Sequence, residues 1–143
     1  MMENGIYSIS GMFYETLAGV SPFGGFFQLN NTSLEGMLTD QYGHSTIAGT
    51  LTDTEFKFEK KYKGKEDLLI NYELTQTDRG LWKGQYKIET RWGGERKERA
   101  IAKINLDWSG TTIEQVHQSP EKFAEKMIAS MVESGMLEVV SNQ

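Results

Sequence analysis

Aromatic side chains are the chemically suggestive residues of this chain. Phe58, Tyr62, Tyr72, Trp82, Tyr86, Trp92 and Trp108 fall on the inward side of two-residue alternating patterns. Such a wall suits a planar or apolar ligand, because small-molecule pockets are mostly apolar with a few placed polar groups. Tyrosine and tryptophan add hydrogen-bonding handles to buried surface. The same rings also suit a solid core, which a small barrel often has. Phe58, Tyr72, Trp82, Tyr86, Trp92 and Trp108 are therefore the candidate ligand-binding residues, and no catalytic residue is assigned.

The remaining chemistry-bearing residues read as structure. His44 and His117 stand apart, with no second histidine or glutamate at helical spacing, so no metal site is expected. Asp40 and Asp53 hold equivalent places in a repeated phrase. A carboxylate pair can do acid–base work if burial separates the two pKa values. Both end strands at turns, however, where aspartate caps backbone groups. Glu73 falls on an outward position. The basic stretches 57–65 and 91–99 are interleaved with acids and read as solvated hairpins rather than a nucleic-acid groove. No phosphate loop, dinucleotide fingerprint or serine nucleophile elbow is present, so no cofactor is expected.

Composition narrows the class further. With 143 residues and no cysteine, the chain reads as one domain over 1–143 that needs neither disulfides nor an oxidising compartment. A net charge of −5 argues against a bulk pull on nucleic acid or anionic lipid. No apolar run reaches the roughly 18–20 residues of a membrane helix. The first residues lack the basic and apolar regions of a signal peptide, which makes a cytoplasmic protein the expectation.

These residues must be positioned by strands. Leu34-Glu35-Gly36-Met37-Leu38-Thr39-Asp40 and Ile47-Ala48-Gly49-Thr50-Leu51-Thr52-Asp53 repeat one apolar-x-Gly-x-Leu-Thr-Asp pattern. Short alternating segments between turns are the signature of a sandwich or barrel. Strands are predicted over 5–15, 24–29, 33–39, 45–52, 54–62, 68–76, 81–92 and 99–108. In the fifth, Phe56, Phe58 and Tyr62 face in while Lys57, Glu59 and Lys61 face water. In the eighth, Ala100, Ala102, Ile104, Leu106 and Trp108 face in. Glycines at matched positions would let the sheet curl toward closure, and Asn30-Asn31 suits a turn with left-handed backbone angles. The period then changes. Ser119-Pro120-Glu121 is a helix start, and Phe123, Met127, Ile128 and Met131 recur at helical spacing toward a C-cap at Gly135. The expected fold is all-β: an eight-stranded antiparallel up-and-down barrel over about 5–108. A C-terminal α-helix over about 120–134 would lie against its flank or one mouth.

Several phrases resemble the avidin and streptavidin family of calycin-type barrels. Ile9-Ser10-Gly11-Met12-Phe13-Tyr14-Glu15-Thr16-Leu17 is similar to its first strand, and Leu34-Glu35-Gly36-Met37-Leu38 to its second. Trp82-Lys83-Gly84-Gln85-Tyr86 and Ala102-Lys103-Ile104-Asn105-Leu106-Asp107-Trp108 are similar to late strands. The resemblance implies a ligand site at one mouth, with Trp82 and Trp108 matching tryptophans that wall it. It does not carry biotin binding. Glu15 stands where asparagine is expected, and Leu38 and Asp40 stand where tyrosine and serine are expected. A lipocalin-like barrel is the neighbouring alternative.

The leading expectation is a small barrel that buries an apolar or aromatic molecule between Trp82, Trp108 and Tyr72. The alternatives are a barrel-type isomerase, cyclase or decarboxylase, marked by a carboxylate or tyrosine facing a cavity, and an interaction module. In the latter, Met127 and Met131 of the helix would meet another chain, with a homo-oligomer open.

Overall fold

The structure, a computed structural model, describes residues 2–77, 80–89 and 93–110 together with Glu125, Ile128 and Val132. The predicted C-terminal helix over 120–134 falls outside the described residues except at those three positions. So do Trp92 and His117.

Among the described residues, eight strands follow one another in sequence and in space. They are β1 (Gly5–Glu15), β2 (Gly19–Asn30), β3 (Ser33–Asp40), β4 (Gly43–Leu51), β5 (Glu55–Tyr62), β6 (Lys65–Gln76), β7 (Trp82–Glu89) and β8 (Glu95–Ser109). Each pairs antiparallel with the next, and β8 returns to β1, closing the barrel. Closure removes both free edges of the sheet.

The alternation of the sequence becomes the inside and outside of this wall. Phe23, Phe27 and Leu29 of β2, Leu34 and Leu38 of β3, and Phe56 and Phe58 of β5 are all buried. The intervening Glu35, Met37, Lys57 and Lys61 are exposed. Asn31 turns the β2–β3 hairpin with φ 60°, as its residue type suggests.

β2, β6 and β8 run longer than their hydrophobic patterns. β2 begins at Gly19 and includes Pro22, which faces outward opposite Met12. β8 begins at Glu95. At these hairpin ends most residues are exposed, Ser21 apart, and few are apolar, so alternation of hydrophobicity no longer reports the pairing. Leu106 is the exception on the inner face. It is 37% exposed, at the point where the pairing of β1 and β8 slips between Ile6 and Tyr7.

A chain of ring contacts runs along the interior. Phe13 meets Tyr86 edge-on at 5.6 Å, Tyr86 stacks on Tyr72 at 5.3 Å, and Tyr72 stacks on Phe58 at 4.6 Å. Phe58 leads to Phe56 at 5.1 Å, which touches both Phe27 and Trp82 at 5.6 Å. Each such pair contributes about 0.5–1.5 kcal/mol beyond the area it buries. The end holding Trp82 is tied shut by the N-terminal residues. The Tyr7 hydroxyl donates to the Glu3 carbonyl at 2.6 Å, Asn4 Oδ1 accepts the Asn31 amide at 2.7 Å, and the Asn4 carbonyl accepts the Gly110 amide at 2.7 Å.

The matched glycines of the repeat sit where neighbouring backbones crowd. A Cβ on Gly36 would lie 2.0 Å from the Phe26 carbonyl oxygen, and one on Gly49 would lie 2.0 Å from that of Lys57. Both obstacles are backbone, so a side chain there must displace a strand. Gly36→Ala is expected to lower unfolding stability by about 1–3 kcal/mol, the range for overpacking. Urea denaturation checks this, with Ala48→Gly on the exposed outer face as a control for altered backbone freedom.

Candidate functional site

The mouth opposite the tied end is ringed by the β1–β2, β3–β4, β5–β6 and β7–β8 hairpins. Just inside it lies a cavity of about 160 Å³. Phe13, Tyr72 and Tyr86 supply ring surface to its lining, Leu68, Ile70 and Ile88 supply aliphatic surface, and Glu15, Tyr42 and Lys65 stand toward the rim. Lys60 and Tyr62 complete it.

Lys60 is set inward by the same alternation that buries Phe58 and Tyr62 on either side of it. Its Nζ lies 2.7 Å from Asp40 Oδ2, and the two side chains are 1% and 0% exposed. The Tyr62 hydroxyl donates to the same oxygen at 2.6 Å. The other carboxylate oxygen, Oδ1, accepts the Tyr42 amide at 2.8 Å. Asp40 thus caps its turn, as sequence reasoning expects, and also anchors a buried cation. The ammonium faces rings on its remaining sides: Tyr62 at 4.5 Å, Phe13 at 4.8 Å and Tyr72 at 5.7 Å to the centroids. Ring faces attract a cation through their quadrupole, most strongly when water is absent.

Burial disfavours charge and pulls the Lys60 pKa below its ordinary 10.5, against the hydrogen bond and charge of Asp40, which raise it. Burial likewise holds the phenols of Tyr62 and Tyr72 above their ordinary 10.0, with the hydrogen bond to Asp40 adding to the effect at Tyr62. Tyr86, whose hydroxyl donates to the Tyr14 carbonyl at 2.5 Å, is pushed up to about 12 by burial first and then by Glu15. At the rim, Tyr42 donates to Glu15 Oε2 at 2.6 Å.

The structure divides the sequence-predicted residues. Tyr72 and Tyr86 line the mouth cavity. Phe58 is buried beneath it against Tyr72. Trp82 is buried toward the tied end against Phe56. Trp108 is half-buried at that end but does not face in as expected, because the slip between Ile6 and Tyr7 pairs it with the outward Ile6. Trp92 lies outside the described residues. Asp53 is exposed in the β4–β5 turn at the other end from Asp40. His44 is exposed, 2.8 Å from the Thr39 hydroxyl, and Glu73 is exposed on the outside. Lys60 is the residue of this candidate site that sequence reasoning missed. Its signal was available, because the strict alternation of 56, 58 and 62 leaves position 60 no other side.

No protein-family model matches this chain, and no curated protein matches it.

Two measurements test this site. Removing one member of a buried ion pair strands the other, at a cost of about 3–5 kcal/mol, whereas replacing both with apolar residues is often neutral. Asp40→Leu and Lys60→Met should each destabilise by that amount in urea denaturation, and the double variant should recover most of the loss. The phenols give a second test. An unfolded chain releases their protons near pH 10 while the folded barrel keeps them, so the unfolded state binds fewer protons and stability falls as pH rises. The contribution of Tyr86 is whole below pH 10 and is lost as pH climbs through about 12. Phenolate absorbance should show part of the six tyrosines titrating late, with unfolding free energy dropping over that window.

Proposed function

We propose that this barrel binds a small, single-ring or similarly sized apolar molecule in its mouth, with polar groups of the ligand oriented by Lys60, Tyr62 and Tyr72. The observation that carries this reading is the buried Asp40–Lys60–Tyr62 cluster facing a cavity in an otherwise apolar interior. A structural core gains little from burying an ion pair, since desolvation offsets most of the attraction. Ligand sites, by contrast, regularly set a few polar groups in apolar walls. The cavity of about 160 Å³ is close to the roughly 150 Å³ apolar cavity that accommodates benzene.

The closed eight-stranded barrel is compatible with a calycin-type ancestry, and kinship with avidins remains part of this proposal. The expected site between Trp82, Trp108 and Tyr72 moves in this reading to the mouth around Tyr72 and Tyr86.

A panel of single-ring aromatic compounds, screened by ligand-detected NMR and thermal shift, tests the binding reading. Binding is expected to weaken at least about tenfold in Tyr72→Leu, roughly the 1.4 kcal/mol of one lost ring contact. Trp82→Phe, at the tied end, should leave it unchanged. Silence across the panel would refute the reading.

A further inference from the structure

Resting on the mouth-binding reading, we propose that the mouth takes small carbonyl compounds, single-ring aldehydes above all, and holds them as a Schiff base on Nζ of Lys60. Among the described residues Lys60 is the one lysine buried, at 1% exposure, while Lys57, Lys61 and Lys97 on the outside are 49%, 44% and 60% exposed. Lys60 is among the residues that line the cavity. Desolvated lysines are the ones that condense with carbonyl groups, because the free base is the nucleophile and burial favours it. Burial acts in that direction here.

The neighbours suit each stage. Asp40, 2.7 Å away, takes one proton from the ammonium and exposes the nitrogen lone pair. The nitrogen attacks the carbonyl carbon, the C–N bond forms, and the carbonyl π pair moves to oxygen. A second proton passes from nitrogen to that oxygen and gives the neutral carbinolamine. Asp40 then returns its proton to the hydroxyl, the C–O bond breaks, and water leaves. One proton stays on nitrogen. An aldehyde and an ammonium become an iminium and a water, with no change of oxidation state. The site begins and ends with one cation beside the Asp40 carboxylate. The Tyr62 hydroxyl, on the same oxygen of Asp40, holds that carboxylate in place. The rings of Tyr62 and Phe13 that face the ammonium at 4.5 and 4.8 Å would face the iminium equally well. The cavity leaves room for about one ring beyond the new bond.

The test is reductive trapping of the intact protein with limiting benzaldehyde and cyanoborohydride, followed by peptide mapping. Lys60 is expected to carry the benzyl group roughly tenfold faster than any exposed lysine, as an activated amine should. Excess benzyl alcohol, which fits the cavity but cannot condense, should slow that labelling alone. Lys60→Arg, which keeps the cation beside Asp40, should fold by circular dichroism and lose the site-specific label. Labelling confined to surface lysines, or absent, overturns the Schiff base. Ligand-detected NMR of benzyl alcohol then separates the two readings: if the alcohol binds, the mouth still takes rings without covalency, and if it does not, the mouth-binding reading falls as well.

Discussion

A closed sheet has a single interior, and every second residue of every strand must be accommodated there. That constraint organises the whole molecule. It stacks rings from Phe13 and Tyr86 at one mouth to Phe56 and Trp82 at the other end. It also forces Lys60 inside, between Phe58 and Tyr62, where no solvent can neutralise the cost of its charge. The cation therefore has to be met from another strand. Asp40, at the last position of β3, does so from two strands away. One residue of unavoidable polarity thus fixes where the cavity is polar, which tyrosine is oriented, and how the β3–β4 turn is held.

The two ends of the barrel show how this asymmetry arises. At one end the N-terminal residues supply backbone groups that close over the core, with Glu3 and Asn4 bonding to Tyr7, Asn31 and Gly110. At the other, the hairpins project past the rings and leave a space bounded by side chains. The interior is therefore both of the things its aromatic content suggested. It is solid around Phe56 and Trp82, and hollow beside Tyr72 and Tyr86.

Strand order, strand count and the close backbone approach at Gly36 and Gly49 were legible in the sequence because each rests on local spacing. So were the turn at Asn31 and the capping by Asp40. The position of the site was not legible from the tryptophans. Alternation put Trp82 and Tyr86 on the right side of the wall but did not say how far along the barrel axis each sits, and for Trp108 a register slip in the seam reversed the side. Lys60 was hidden for a different reason. Charge suggests the outside, and only the two-residue period of its own strand says otherwise. Its partner Asp40 lies twenty residues earlier, on a strand joined to β5 only through β4, so no local pattern links the two.

The seam between β1 and β8 carries one more consequence. Seven of the pairings join neighbours in the chain, whereas this one brings Gly5 to Ser109. Loop-closure entropy makes such distant contacts slow to form. Until the seam zips, β1 is paired only with β2 and offers one free edge, and its stretch from Gly5 to Tyr14 holds no charged residue. Uncharged strands of high β-propensity are the segments by which chains recruit one another. The feature that gives this protein an inside is thus also its point of greatest exposure during synthesis, when nascent copies compete with its own last strand for the first.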